Sequence, residues 1–156
     1  MTEKGLPEKN IVTNRKARRD YEILETREAG IALVGTEVKS LRAGRVNLTD
    51  SYASVENGEV ILYNLHISQY EPSARENHEP TRPRQLLLHK REIRRLFGAT
   101  AEKGFTLIPL RIYFKGPYVK VELATARGRR KFDKREAIAK KEADRAIERA
   151  HRRRLK

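Results

Sequence analysis

The chain has 156 residues, four of them histidines (His66, His78, His89 and His151), and no cysteine. The histidines lack metal-ligand spacing, and without thiolates a tetrahedral zinc site has too few donors. The missing cysteines also exclude disulfides and thiol nucleophiles. Glu22, Glu25 and Glu28 recur every three residues, a spacing that keeps them off one strand face. They read as a solvated edge rather than a metal cluster. Gly98-Ala-Thr-Ala-Glu-Lys-Gly104 lacks the Gly-Lys-Ser/Thr ending of a phosphate loop. Asn47-Leu48-Thr49 matches a glycosylation acceptor by chance. No catalytic residue, cofactor or metal is expected.

The chemistry of binding is better represented. Arg15, Lys16, Arg18 and Arg19 crowd one short segment, and Lys39, Arg42 and Arg45 another. Arg82 and Arg84 flank Pro83, which stiffens the backbone between two guanidinium groups. Tyr52, Tyr63, Tyr70, Tyr113 and Tyr118 are interleaved with these clusters, where they pack in the core or stack on bases. Formal net charge is +14, from 35 Lys/Arg and 21 Asp/Glu. Residues 127–156 hold 14 Lys/Arg and 5 Asp/Glu, a net of +9, which leaves +5 for residues 1–126. A mildly basic body with a strongly basic tail gains by displacing counterions from phosphates, so nucleic acid is the expected partner. No apolar run approaches the ~18 residues of a membrane span, and the N-terminus lacks the apolar stretch of a signal peptide. A cytoplasmic, monomeric protein without membrane contact is expected.

The elements that must position these residues are short. Residues 1–8, with Gly5 and Pro7, are expected to be disordered. Asn14 caps a helix over residues 14–20. Residues 21–26 alternate as a strand, which Ile31, Leu33 and Val34 extend beyond Gly30; that glycine marks a bulge or a close backbone approach. Thr36 caps a second helix, residues 36–43, ended by Gly44. Strands 51–56 and 59–65 flank Asn57-Gly58, a strong hairpin signal. Residues 71–85, with three prolines, form a long loop, after which residues 86–88 re-enter the core. Residues 90–97 form a third helix, with Ile93, Leu96 and Phe97 on one side and Gly98 as its stop. Strands 105–115 and 118–126 join through Gly116-Pro117, and Pro109 points to an edge or a bulge. Six strands and three short helices predict a β-rich α+β fold, an antiparallel OB-like barrel over residues 9–126. Residues 135–150 are rich in helix formers but carry only Ile138 and Ile147 as larger apolar residues. Such a tail is expected to be disordered when free and helical on RNA.

Several blocks occur together in order: Asn14-Arg-Lys-Ala-Arg, Glu28-Ala-Gly-Ile-Ala, Gly35-Thr-Glu-Val-Lys-Ser-Leu-Arg-Ala-Gly44, Asn47-Leu-Thr-Asp-Ser-Tyr52, Pro80-Thr-Arg-Pro-Arg-Gln-Leu-Leu-Leu88 and Lys131-Phe-Asp-Lys-Arg-Glu136. From about Lys9 to Arg154 the chain resembles the SsrA-binding protein family, also called small protein B. The resemblance implies an OB-like barrel with three helices and no enzymatic activity. It implies binding to the tRNA-like domain of transfer-messenger RNA (tmRNA) and delivery to stalled 70S ribosomes. There the tail enters the decoding site and message channel, and elongation factor Tu is met through alanyl-tmRNA. Carried over by motif, Asn14, Glu28, Leu88 and Lys120 are RNA-binding candidates. Leu88 would give an apolar contact. Glu28 would accept from base or ribose groups, or order neighbouring Arg side chains. Phe132, Asp133, Lys134 and Arg135 form the decoding-site segment of the tail, with Asp133 expected to cap its helix. Phe132 and Arg19 depart from the family pattern, which favours polar or ring-nitrogen residues and histidine there. A general structured-RNA-binding or ribosomal protein, and an RNA-modifying or RNA-cleaving enzyme, are the alternatives.

Overall fold

The structure is a computed structural model that describes residues 5–70, 77–128 and 131–154, with side chains from 140 to 153 in the last segment. The element order is β1 (Glu8–Thr13), α1 (Arg15–Asp20), β2 (Tyr21–Ile31), α2 (Gly35–Arg42), β3 (Val46–Asn47), β4 (Tyr52–Glu56), β5 (Glu59–Tyr63), β6 (His66–Ile67), β7 (Arg84–Leu87), α3 (Lys90–Ala101), β8 (Thr106–Lys115), β9 (Tyr118–Gly128) and α4 (Lys131–Arg154). Seven strands form one antiparallel sheet in the order β1-β8-β4-β5-β7-β2-β9. β9 also pairs with β8, so six of the seven close into a ring, with β1 laid along β8 outside it. β3 and β6 form a separate two-stranded ladder. The fold is therefore β-rich α+β.

The six ring strands are the six expected from sequence pattern; β1, β3 and β6 are additions among the described residues, and the tail expected to be helical on RNA contains α4. β1 is mostly exposed, with only Ile11 and Val12 partly buried, and its partners lie about a hundred residues away, from Glu8↔Lys115 to Thr13↔Arg111. It starts inside the segment expected to be unstructured, of which residues 1–4 lie outside the described residues. Part of the expected loop, residues 71–76, also lies outside them, and β7 begins at Arg84 within that loop.

Local chemistry sets the joints. Asn57 and Gly58 both have positive φ, 50° and 76°, as a two-residue hairpin with inverted turn geometry requires. The register of β8 against β9 shifts between Pro109 and Arg111, the bulge that proline predicts. β2 stops at Ile31 rather than continuing through Val34, which instead caps α2. Thr36 lies inside α2 and is not its cap; its hydroxyl meets His78 Nδ1 at 2.9 Å. Val34 has no side-chain acceptor, and the Glu37 carboxylate takes its N–H at 2.9 Å. α3 passes through Gly98 to Ala101, so Gly98 is no stop. Phe97 is 55% exposed rather than part of the core, whereas Leu96 is buried as expected.

Two apolar clusters divide the interior. The larger fills the ring with Val60, Leu62, Leu86, Leu107, Ile112, Val121 and Leu123 among others. The smaller joins Ala17 of α1 to Ile108, Leu110, Ala124 and Ala126. Ala17 is the one buried residue of α1, and its small side chain lets the helix lie close on β8 and β9 while the flanking cations point to water. α4 exposes every described side chain, residues 140–153.

Candidate nucleic-acid interface

β2 lies between β7 and β9, with Gly30 paired to Leu87 on one side and Lys120 on the other. Glu28 and Gly30 are two apart, so they share a face of β2. A Cβ at Gly30 would approach Leu87 Cβ to 3.2 Å, the close approach this glycine suggests. The result is an open depression of about 450 Å³ lined by Glu28, Gly30, Leu87, Leu88, His89, Glu92 and Lys120. Glu28, Leu88 and Lys120, far apart in sequence, are thus brought together.

Glu28 is held from β8, the strand on the far side of β9. Tyr113 Oη donates to Glu28 Oε2, and Lys115 Nζ lies 3.2 Å from both carboxylate oxygens. Tyr113 and Lys115 share a face of β8 because they too are two apart. Arg111, two residues before, covers the Tyr113 ring at 3.9 Å and pairs with Glu122 at 3.1 Å. Burial pushes the Glu28 carboxyl up. The Tyr113 and Lys115 hydrogen bonds and the charges of Lys115 and Lys120 outweigh it, leaving the pKa below the usual carboxylate value. Burial and the same carboxylate push the Tyr113 hydroxyl well above the usual phenol range. Of the two roles expected of Glu28, ordering neighbouring side chains falls here on a tyrosine and a lysine rather than on arginines. Tyr113 is buried and is no stacking platform; Tyr118 stays exposed beside Lys120, 5.6 Å from ring centre to Nζ.

The other candidates lie elsewhere. Arg15, Lys16, Arg18 and Arg19 are exposed on α1, with Lys16 paired to Asp50 at 3.1 Å. Asn14 is buried: its Oδ1 accepts the Ala17 N–H at 3.2 Å, and its Nδ2 donates to Pro109 O at 3.1 Å and Leu48 O at 3.4 Å. It caps α1 and ties it to β8 and to the loop after β3, so its place is beneath the basic helix. Lys39, Arg42 and Arg45 are exposed on and after α2, with Lys39 over the Tyr70 ring at 5.5 Å. Tyr52 and Tyr63 stack on each other, 5.5 Å between centroids.

The Arg82-Pro-Arg84 reading needs correction. Arg84 is fully buried; its guanidinium donates to Glu37, to Leu65 O at 2.7 Å and to Pro80 O at 3.1 Å. Arg82 also holds Glu37, and only part of its side chain reaches solvent. Both arginines thus lock α2 to β7 and the turn before it, and Arg84 has no surface left for a phosphate. Burial pushes the Glu37 pKa up, but its Arg82, Val34 and Arg84 hydrogen bonds prevail and lower it. Glu22, Glu25 and Glu28 each take a separate cationic partner, respectively Arg127, Arg27 and Lys115. No metal-holding cluster occurs among the described residues.

Side chains of Phe132, Asp133, Lys134 and Arg135 lie outside the described residues. Their backbone is helical from Lys131 onward, so Asp133 sits within the first turn of α4 and is not its cap. Sequence reasoning passed over Lys115, Leu87 and Glu92, set His89 aside with the other histidines, and named Tyr113 only as a core or stacking residue, not as the partner of Glu28. The alternation of β8, which places Tyr113 and Lys115 on one face, was the available signal. It also passed over the exposed cations of α3.

A family model described as "SmpB protein" matches residues 11–153. The SsrA-binding protein of Carboxydothermus hydrogenoformans is 65% identical over 143 residues, covering 92% of this chain and 96% of that one. The SsrA-binding protein of Geobacillus thermodenitrificans is 59% identical over 148 residues, covering 95% and 96%. A solved chain from "tmRNA-SmpB: a journey to the center of the bacterial ribosome" is 57% identical, with a TM-score of 0.65 over 81% of this chain and 93% of that one. Family model, relatives and solved fold agree over most of the length, and the chain belongs to the SmpB family of SsrA-binding proteins.

Proposed function

We propose that this protein binds tmRNA and brings it to stalled ribosomes in trans-translation, acting by binding and not by catalysis. The observation that carries this is the meeting of Glu28, Leu88 and Lys120 in one depression of a chain with net charge +14. Lys120 offers an ammonium group to a phosphate. Glu28, kept ionised and fixed by Tyr113 and Lys115, accepts from a ribose 2′-hydroxyl or a base N–H, the groups by which structured RNA is told apart from other polyanions. Leu88 supplies an apolar contact. The exposed cations of α1 and α2 add phosphate contacts that position the RNA without reading it. Asn14 acts beneath them by fixing α1. The six-strand ring reads as an OB-like barrel, the rigid support for this face.

The tail serves the second partner, the ribosome. Phe132, Asp133, Lys134 and Arg135 act in the decoding site, and the rest of α4 follows the message channel. With alanyl-tmRNA comes elongation factor Tu. Crosslinking in cells, recovery of the bound RNA and sequencing tests the first half: tmRNA is expected to dominate, and an even spread over structured RNAs would overturn it. Changing Asp133, Lys134 and Arg135 together to Ala tests the second. It should leave tmRNA affinity within a few fold and severely reduce alanine transfer on ribosomes carrying truncated message. Normal transfer would remove the decoding role.

A further inference from the structure

α3 carries charge that the fold does not use. Lys90, Arg91, Arg94 and Arg95 are all exposed, and none is paired with another described residue. At 3.6 residues per turn they fall within an arc of roughly 140°. Phe97, 55% exposed, stands at the edge of that arc, three residues after Arg94 and seven after Lys90. The opposite side is anchored by Leu96, buried, and Ile93, which packs on the main cluster. Two of the cations lie in the first turn, where the helix dipole already presents positive charge. The one acid there, Glu92, is engaged: it accepts from His89 N–H at 3.3 Å and from Arg27 at 3.5 Å. The Lys90–Arg94 and Arg91–Arg95 pairs repel at i, i+4. The isolated chain thus carries an arrangement of clustered, unpaired cations that a bound polyanion would relieve. His89 and Glu92, at the start of this helix, also line the Glu28–Lys120 depression, so the basic face begins where that depression ends.

We infer that the outer face of α3 is a further part of the tmRNA contact: its four cations take backbone phosphates leaving the depression, and Phe97 stacks on an unpaired base. This rests on the tmRNA reading above. An acidic protein would satisfy the cations. Continuity with the depression and an aromatic ring set among them favour RNA, since basic grooves with exposed aromatics are how unpaired strands are held.

The test uses the full chain and purified tmRNA over a range of salt. With Lys90, Arg91, Arg94 and Arg95 all changed to Gln, the slope of log K against log salt should shrink by roughly 3, and affinity near physiological salt should fall about tenfold or more. Phe97→Ala should weaken binding by roughly five- to a hundredfold, and Phe97→Trp should keep it. The chain has no tryptophan, so the Phe97→Trp protein carries a single reporter whose fluorescence tmRNA should quench. If the quadruple variant does not fold, the reporter decides: unquenched emission on saturation with tmRNA overturns the inference. Unchanged affinity and slope in a folded quadruple variant also overturns it, while wild-type binding leaves the tmRNA reading intact. Loss of ribosome binding with tmRNA binding unchanged assigns the face to ribosomal RNA, and loss confined to an acidic protein assigns it to protein; both overturn it. Wild-type protein that fails to bind tmRNA fails the tmRNA reading itself.

Discussion

Glu28 is a carboxylate on a surface meant for a polyanion, and its neighbours account for it. Tyr113 and Lys115 keep it ionised, so its native pKa is lowered. A lowered native pKa contributes stability that is present above the unfolded carboxylate's pKa and is lost as pH falls through the native value. The stability difference between wild type and Glu28→Gln should therefore be largest near neutrality and shrink in acid, as denaturant titrations at several pH values would register. The same substitution adds one net positive charge. It should weaken tmRNA binding while strengthening binding to unrelated duplex RNA, which a competition assay reads directly. Glu37 illustrates the opposite case, a buried acid whose partners serve only the fold. Arg84→Ala should lower the unfolding free energy by about 3–5 kcal/mol, because it strips a buried carboxylate of a partner. Replacing both members, Glu37→Gln with Arg84→Met, should recover much of that loss in urea titrations.

Helix α1 depends on a single side chain. Asn14 caps it and also donates to Pro109 O and Leu48 O. Asn14→Ala should cost about 1–2 kcal/mol. Aspartate is normally an equally good cap, yet Asn14→Asp should also destabilise, because a carboxylate would then face two carbonyls. Equal melting of the Asp variant and wild type would show that capping is its whole role. Elements of this kind were legible in the sequence because their signals are local: Asn14 before a polar helix, Asn57-Gly58 between alternating strands, Pro109 in a bulged strand. β1 was not legible, since its Glu8–Thr13 strand has little apolar content and is fixed by β8, about a hundred residues later. Arg84 was misread for a similar reason. Nothing near it announces that Glu37, 47 residues earlier, will draw its guanidinium inside. Of the candidate interface, Glu28, Leu88 and Lys120 came from family motifs, while Tyr113 and Lys115 emerged only once β2, β9 and β8 lay side by side.

At the scale of the molecule, body and tail divide the work. A protein stopped after Gly128 keeps every pairing of β9 and should retain its melting temperature and tmRNA affinity, and lose alanine transfer on stalled ribosomes. α4 has no described side chain buried, and a helix without a packed face is marginal in water. The far-ultraviolet dichroism of the free full chain should therefore exceed that of the shortened one by far less than a helix of 24 residues would give, and rise when RNA is added. The closed ring also has a consequence for birth on the ribosome. Its pairing of Tyr21 with Gly128 means that an early strand waits for a late one. At about 5–20 residues per second, synthesis of the intervening stretch takes roughly 5 to 20 seconds. β2 can find β7 once residues 84–87 are made but lacks β9 until the end of that interval, and the cations of α1 stand meanwhile on a nascent chain without β8 and β9 beneath them. The protein acquires its grip on RNA late and all at once, so partly made copies cannot sequester the RNA that finished copies must carry.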